Sequence, residues 1–337
     1  MAVTIHDVAK YAGVSHTTVS WVIHNDPRIT RETKEKVHRA IKKLNYHPNV
    51  NARSLVRGKT NTIAIIVYFF STVFELEVLK GIEKYFENTE STYNVSIFST
   101  RGNPELKEKL LHEILYGKRA DAVIMLSMNP GIKILSEYRK YKVPLVLIEE
   151  SLKGAMTVKN NNFAGAFEAT EYLINKGRKN IGIVVGEFDS VDSGLSPLER
   201  FNGYREALKK YRIKFRAELV FKIENYYLEE GREVIKLILK NNMATDALFC
   251  AAGDMVAAGI IDQAKKSGLE VPGDIAVIGY DDIPTASLIS PPLTTVRQPI
   301  EILGKTAIDM AINTLEGKKP PENEVIFEQE LVIRESA

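Results

Sequence analysis

The sequence predicts an α/β protein in which a small all-α head precedes a larger body of alternating strands and helices. In the first 60 residues apolar residues recur at helical spacing, and eleven Lys and Arg stand against four acids. From residue 62 onward short β-branched runs alternate with amphipathic stretches, which is typical of parallel sheets covered by helices on both faces. The remaining 34 basic and 39 acidic residues make the body slightly acidic. Charge alone fits a head that meets a polyanion and a merely solvated charged face equally well.

The composition excludes several classes of protein. With 45% apolar residues and the single cysteine Cys250, the chain is neither disordered nor disulfide-rich. No run reaches the roughly 18 apolar residues of a membrane span, and the N-terminal residues lack the basic flank and apolar core of a signal peptide. We therefore expect a cytoplasmic protein with no membrane contact, no cofactor and no bound metal.

Two short helices separated by a tight turn are predicted at the start of the head. Thr4 suits the N-cap of the first helix, and Gly13 suits the left-handed residue that ends it. Ser15 suits the cap of the second helix, which the turn at 12–14 sets nearly perpendicular to the first. This spacing is that of a helix-turn-helix, whose second helix enters the major groove of DNA. A third helix follows the cap Thr30, and the basic surface of three such helices also suits a protein partner.

The outward positions near the start of the second helix are the candidate base readers. Their polar groups can hydrogen-bond base edges or phosphate, and the indole can contact a thymine methyl or a sugar. For the indole, packing against the third helix is the alternative. Because none of the four is Arg, bidentate recognition of guanine is not expected from this helix. The four residues are His16, Thr17, Ser20 and Trp21.

The apolar periodicity of the body gives eight strand candidates and six helix candidates, and about ten strands over this length favour two lobes. The strand candidates are 62–68, 95–99, 122–126, 144–148, 181–186, 219–223, 247–251 and 275–280. The helix candidates are 76–88, 105–116, 164–176, 198–211, 228–240 and 254–267.

Motifs in the head and in the body occur in a fixed order. In the head they are Thr-Ile-His-Asp-Val-Ala at 4–9, Ala-Gly-Val-Ser at 12–15 and Thr-Val-Ser at 18–20, followed by segments 45–49 and 52–55. In the body they are 198–204, 278–282 and 291–298. Together they resemble the lactose-repressor/galactose-repressor (LacI) family of bacterial transcription regulators, and segments 45–55 are similar to the hinge of that family.

For the head, the resemblance implies a hinge that folds as a helix on operator DNA, with Leu55 wedged into the minor groove. Unstacking a base step costs on the order of a few kcal/mol, which the bent complex recovers through further contacts. The matching motifs add Thr4, Thr18, Asn49 and Ala52 to the predicted DNA contacts.

Two departures from the family pattern limit this comparison. Trp21 stands where Arg is common, so the operator sequence cannot be carried over. Asn51 stands where paired hinges usually present a small apolar residue. Either the two asparagines hydrogen-bond across a dimer, or the pairing of the hinges is weaker.

For the body, the resemblance implies two periplasmic-binding-protein-like lobes with three crossovers and an effector cleft between them. Ligands of α/β sheets generally lie outside the carboxyl ends of the strands. The predicted domains are a helix-turn-helix head at 1–46, a hinge at 47–60, an N-lobe at 61–161 plus 291–322, and a C-lobe at 162–290 plus 323–337.

Six positions match effector-binding positions of the family: Phe74, Glu149, Asn161, Arg200, Tyr226 and Asp281. From the residues alone, Arg200 fits a ligand for carboxylate, phosphate or vicinal hydroxyls and equally a structural ion pair. Asp281 fits a hydroxyl acceptor or a turn aspartate, and Tyr226 fits a stacking ring or a core side chain. Gly253 stands where many sugar-binding members have Asn. We expect a sugar or sugar derivative first, and a purine-like or phosphorylated ligand next.

No catalytic site is predicted. His112 is the only histidine of the body and belongs to no nucleophile motif, and segment 58–60 lacks the first glycine of a phosphate-binding loop. The expected function is a repressor that binds a pseudo-palindromic operator in the nucleoid as a homodimer, controlled by a small-molecule effector or by a protein corepressor. The alternative is a small-molecule sensor whose basic head contacts a protein partner.

Overall fold

The computed structural model describes residues 3–23, 25–47, 59–189, 194–318 and 322–337. The chain divides into two units, Met1–Thr60 and Asn61–Ala337. In its described part the first unit contains only helices, and the second contains two six-stranded sheets with helices. The predicted fold class, an all-α helix-turn-helix head and a two-lobed α/β body, is confirmed.

Three helices surround a small apolar core in the head. They are α1 (Ile5–Ala12), α2 (His16–Ile23) and α3 (Arg31–Leu44). Each helix contributes two buried residues, so the head has a core of its own. These residues are Val8, Ala9, Val19, Val22, Val37 and Ala40.

Local hydrogen bonds set the ends of α1 and α2. The Thr4 hydroxyl accepts the Asp7 N–H at 3.4 Å, and the Asp7 carboxylate accepts the Thr4 N–H at 2.8 Å, which is a reciprocal capping box. Gly13 has a φ of 68°, the left-handed conformation that a glycine adopts without steric cost. The Ser15 hydroxyl accepts the Thr18 N–H at 3.0 Å and caps α2. The predicted caps and the turn between the two helices are therefore confirmed.

Twelve strands and nine α-helices make up the described part of the body. The strands are β1 (Thr62–Val67), β2 (Asn94–Ser99), β3 (Ala122–Leu126), β4 (Leu145–Ile148), β5 (Met156–Asn160), β6 (Ile181–Gly186), β7 (Val220–Ile223), β8 (Ala247–Cys250), β9 (Ala276–Asp281), β10 (Thr294–Arg297), β11 (Glu324–Phe327) and β12 (Glu330–Val332). The helices are α4 (Val73–Glu87), α5 (Pro104–Tyr116), α6 (Ile132–Lys140), α7 (Asn162–Asn175), α8 (Leu195–Lys210), α9 (Leu228–Lys240), α10 (Asp254–Lys266), α11 (Thr285–Leu288) and α12 (Ile300–Leu315).

Each lobe is built on one sheet. The first sheet has the order β11-β5-β4-β3-β1-β2 with parallel pairing throughout, and the second has the order β12-β10-β9-β8-β6-β7, in which only β12 is antiparallel to its neighbour. Both faces of the first sheet are covered, because Ile63 and Ile65 of β1 belong to the cluster formed with α4 and α12, whereas Ala64 and Ile66 belong to the cluster formed with α5 and α6. This explains the continuous apolar runs in the sequence.

The lobe boundaries predicted near the C-terminal end are wrong in two places. Within segment 291–322, predicted in the N-lobe, β10 pairs with β9 in the second sheet, whereas α12 packs against the first sheet as predicted. Within segment 323–337, predicted in the C-lobe, β11 pairs with β5 in the first sheet, whereas β12 pairs with β10 in the second sheet as predicted. The chain therefore crosses between the lobes after β5, after β10 and after β11. The pairing of the strands decides to which lobe each segment belongs. The amino-acid sequences of these short strands do not indicate which sheet they join.

A close helix crossing supports the first lobe. Gly81 of α4 and Gly304 of α12 face each other's backbones, and a Cβ at Gly304 would overlap the Val78 carbonyl. The two helices approach this closely only because both positions lack a side chain. Leu303 and Ala307 of α12 are then fully buried against the sheet.

Candidate functional site

The predicted base readers lie along α2. His16, Thr17 and Trp21 are exposed, and Ser20 is half-buried. The Thr18 hydroxyl lies 2.9 Å from the Ser15 hydroxyl, so Thr18 takes part in the helix cap.

Trp21 is 40% exposed rather than part of the head core. The guanidinium carbon of Arg28 lies 5.0 Å from the centroid of its ring. Arg28 is held in place by Asp26, whose carboxylate accepts its Nε at 3.0 Å and its Nη2 at 2.7 Å. These hydrogen bonds from Arg28 lower the pKa of Asp26 to about 2. Arg28 thus adds to this face of the head a cation that the sequence interpretation did not include.

The predicted hinge contacts belong to segment 48–58. Asn49, Ala52 and Leu55 lie outside the described residues, as does Asn51. Their roles stay predictions.

A cavity of about 640 Å³ lies in the body, at the carboxyl ends of strands of both sheets. Five of the six predicted effector residues line it: Phe74, Glu149, Arg200, Tyr226 and Asp281. Asn161 does not line it. Its side chain caps α7 by accepting the Ala164 N–H at 3.2 Å and donates to Glu328 at 3.3 Å. The expectation for Asn161 is therefore corrected: a side chain engaged in a helix cap faces its own first turn.

Arg200, in α8, is held on three sides. Its Nε donates to Asn162 Oδ1 at 2.8 Å, its Nη1 donates to the Ala251 carbonyl at 2.8 Å, and its guanidinium carbon lies 3.8 Å from the centroid of the Tyr280 ring. Its Nη2 makes no hydrogen bond with a described residue. A guanidinium fixed in this way offers one amino group to a ligand at little cost in side-chain entropy.

Asn162 is a site residue that the sequence interpretation missed. It is buried, and its Nδ2 donates to Glu149 Oε2 at 2.6 Å while its Oδ1 accepts Arg200. Glu149 also accepts the Asn160 N–H at 2.7 Å and the Ser196 hydroxyl at 2.7 Å. The Glu149 carboxylate is therefore engaged by protein donors, and it positions Arg200 through Asn162.

Asp281 ends β9 with a φ of 107°, a conformation that costs a non-glycine residue on the order of 1–3 kcal/mol. Its carboxylate accepts the Gln298 side-chain amide. Burial raises its pKa to about 6, although the Arg200 charge opposes the rise. Behind it Asp254 is buried and accepts the Thr295 hydroxyl at 2.6 Å. Burial and the Asp281 charge raise the pKa of Asp254 well above its ordinary value.

Side chains from all three crossovers meet beside Asp281. Gln298, after β10, accepts the Asn160 Nδ2 at 2.7 Å and the Gln329 Nε2 at 3.3 Å, and donates to Asp281. Gln329, between β11 and β12, accepts the Tyr280 hydroxyl at 2.7 Å. We call Asn160, Gln298 and Gln329 the crossover amides. Through them, the residues that line or border the cavity are hydrogen-bonded to every connection between the lobes.

Glu75, in the first turn of α4, is a second lining residue that the sequence interpretation missed. It is only 6% exposed, and no hydrogen bond to it from another described residue is found. Burial raises its pKa to about 7, and the charge of Asp281 contributes. Burial likewise raises the pKa of Tyr226 to about 12, with Glu75 and Asp281 contributing. In the sequence Glu75 is one more acid in an amphipathic helix, so only its burial reveals it.

In the described ranges no group of three or more His, Cys, Asp and Glu side chains could hold a metal ion. Among the same residues, no helix combines the length and the apolarity that crossing a membrane requires.

Comparison with known proteins assigns a class to each unit. Residues 4–49 match the model for bacterial regulatory proteins of the lacI family, and residues 170–337 match the model for a periplasmic binding protein-like domain. A helix-turn-helix head joined to a two-lobed α/β body with a cavity defines a class of ligand-responsive DNA-binding proteins.

Individual relatives extend the match over the whole chain. The HTH-type transcriptional repressor PurR of Histophilus somni (strain 129Pt) is 34% identical, with 99% of this chain and 98% of the relative covered. The ribose operon repressor of Escherichia coli (strain K12) is 33% identical over 93% of both chains. A crystal structure of the lac repressor dimer bound to operator and the anti-inducer ONPF matches with a TM-score of 0.81, 25% identity, and 100% and 99% of the two chains covered.

The chain belongs to the lacI family of bacterial regulatory proteins. It is a DNA-binding transcriptional regulator with an effector-binding body, and it is not an enzyme.

Proposed function

We propose that this regulator is a homodimeric repressor that acts in the cytoplasm, on nucleoid DNA, and that binds a pseudo-palindromic operator through its head and hinge. The readers are His16, Thr17, Ser20 and Trp21, supported by Thr4 and Thr18, and the hinge contacts are Asn49, Ala52 and Leu55. A dimer is supported by the solved lac repressor, which is a dimer on its operator. Two copies of one head require two half-sites related by the same symmetry.

A small molecule bound in the body cavity then changes the affinity for the operator. The observation that carries this part is the hydrogen-bond chain from Asp281 to the crossover amides. A ligand that replaces or strengthens the bond at Asp281 alters the contacts at all three connections between the lobes. It shifts the equilibrium between two arrangements of the lobes by its difference in affinity for them.

The binding residues of the cavity are Arg200, Asp281, Tyr226 and Phe74, with Glu149 in a positioning role. The Arg200 Nη2 donates to the ligand, the Asp281 carboxylate accepts from it, and the two rings contact its apolar faces. This pattern of one donor, one acceptor and two rings suits a hydroxylated ring compound such as a sugar. The name of the E. coli relative, a ribose operon repressor, supports the same ligand class.

The test measures operator binding and effector response with the full chain. An operator is first selected from fragmented genomic DNA, and its binding is followed by fluorescence anisotropy across salt concentrations with competitor DNA present. Sequence-specific binding gives a steep negative salt slope and resists competitor. Sugars, sugar phosphates, nucleobases and nucleosides are then screened by thermal shift, since a ligand at 100 times its Kd adds about 2.7 kcal/mol.

Arg200→Ala should abolish the response to a ligand found in this way and leave operator binding intact. The matched control is Arg205→Ala, which removes an exposed guanidinium from the same helix, near Phe215 and not in the cavity lining. Loss of response in both variants, or in neither, contradicts the proposed site. If no small molecule changes the affinity for the operator, a small-molecule effector is excluded, and a protein corepressor becomes the proposed controlling partner.

A further inference from the structure

The cavity lining carries an excess of negative charge. Among the described lining residues, five carboxylates stand against two guanidinium groups, those of Arg101 and Arg200. A ligand with a phosphate or carboxylate group would meet net repulsion there. The charge balance therefore favours a neutral or cationic ligand.

Four of the five carboxylates are engaged or solvated without a ligand. Glu149 and Asp281 accept the hydrogen bonds described above, Glu187 accepts Lys222 at 3.3 Å, and Glu224 is exposed. Glu75 is the fifth. Among the described residues Arg200 forms no ion pair with Glu75, and its Nε and Nη1 donate to Asn162 and Ala251 instead.

Glu75 faces the cleft from the first lobe. Its charge acts on Asp281 and on Tyr226, which both belong to the second lobe. A buried carboxylate whose hydrogen-bond donor among the described residues is its own backbone N–H still has a large desolvation cost when it is ionised, and a ligand cation placed against it offsets that cost. Hydroxyl groups would satisfy the oxygens, but only a cation would also compensate the charge of the ionised form.

The aromatic residues of the lining suit a cation as well. Tyr68, Phe69, Phe74 and Tyr226 lie around the same cavity. A ring face attracts an ammonium group and also packs against the C–H face of a saturated ring.

We propose that Glu75 determines the specificity of the cavity, and that the effector carries a primary ammonium group on a hydroxylated ring, as an amino sugar does. The ammonium pairs with Glu75, and the hydroxyls bond to Asp281 and to the Arg200 Nη2. The inference rests on the proposed function, because it assigns the chemistry of the effector in that same cavity.

The test is calorimetric titration of the full chain with glucosamine, galactosamine and mannosamine, each against its neutral parent sugar, and with glucose 6-phosphate. We expect at least one amino sugar to bind about tenfold or more tightly than its parent, and the phosphate to bind more weakly than glucose. In Glu75→Gln the preference for the amine should fall to about threefold or less. The matched control is Glu224→Gln, which removes the same charge from an exposed lining position and should keep the preference.

Three results would overturn the assignment: no binding of any of the three amino sugars, equal binding of each amino sugar and its parent, or an unchanged preference in Glu75→Gln. The comparison within the wild-type protein decides the matter even if the variant does not fold. If another small molecule changes operator affinity through Arg200, the proposed function stands and only the ammonium assignment fails.

Discussion

Glu75 shows how the burial of one carboxyl group becomes a pH-dependent contribution to stability. Its pKa is raised from 4.5 to about 7 in the folded state, so between those values the folded protein binds more protons than the unfolded chain. Stability therefore falls as the pH rises through this window and levels off above it. Asp281 and Tyr226 face the same carboxyl group, and burial raises the pKa of both. The effect of Glu75 is therefore measured as the difference in stability between the wild type and a variant without this carboxyl group.

Glu75→Gln should stabilise the protein without ligand, and by about 2 kcal/mol more at pH 8 than at pH 5. Thermal unfolding of the variant and the wild type at both values measures this. An equal difference in Tm at the two pH values would mean that the Glu75 carboxyl is solvated in the folded state.

Asn161 and Asn162 show how accurately a sequence pattern can identify a single site residue. The family pattern points to Asn161, but α7 begins at Asn162, which turns the first side chain to the helix cap and the second to Glu149 and Arg200. A shift of one position exchanges the two roles. No spacing rule fixes the start of a helix to within one residue.

At the scale of elements, the crossing of α4 and α12 depends on missing side chains. Gly304→Ala places a methyl group against the Val78 carbonyl, which belongs to a helix backbone and cannot rotate away. We expect a loss of about 2 kcal/mol, despite the higher helix propensity of Ala. Urea unfolding followed by circular dichroism measures it. Lys305→Ala, at the exposed neighbouring position, should stay within about 0.5 kcal/mol of the wild type. If the two variants are equally stable, the close crossing is not a determinant of stability.

Elements whose signals are local were predictable, and those whose placement depends on distant pairing were not. The capping residue Thr4 and the left-handed Gly13 act within one turn of the chain. The strand predicted at 122–126 has the same bounds as β3 in the structure. The strands β5, β10, β11 and β12 were not predicted. These strands are only three to five residues long and contain polar residues, so no clear apolar run marks them in the sequence. Which sheet each one joins is decided by the strand beside it.

At the scale of the whole molecule, Gln298 joins the cavity to the connections between the lobes. Gln298→Leu removes its bonds to Asn160, Gln329 and Asp281. We expect effector affinity to change only a few-fold, because Arg200 keeps its own contacts. The effector-induced change in operator affinity should fall by about tenfold or more, since the link that transmits it is cut. Anisotropy titrations of operator with and without effector measure both quantities.

The control for this substitution is Gln263→Leu, on α10, where among the described residues the side-chain amide bonds only to Ser267, at 3.1 Å. It should leave both quantities unchanged. If Gln298→Leu also preserves the full effector response, the crossover amides hold the lobes together without carrying the signal.

The strands β11 and β12 follow one another closely in the chain, yet each is the outermost strand of a different sheet. A frameshift or stop codon upstream of β11 would expose the backbone of β5 in one lobe and of β10 in the other, and open edges of this kind invite aggregation. A genetic screen would therefore recover truncations just before β11 as complete losses of function and not as mild alleles.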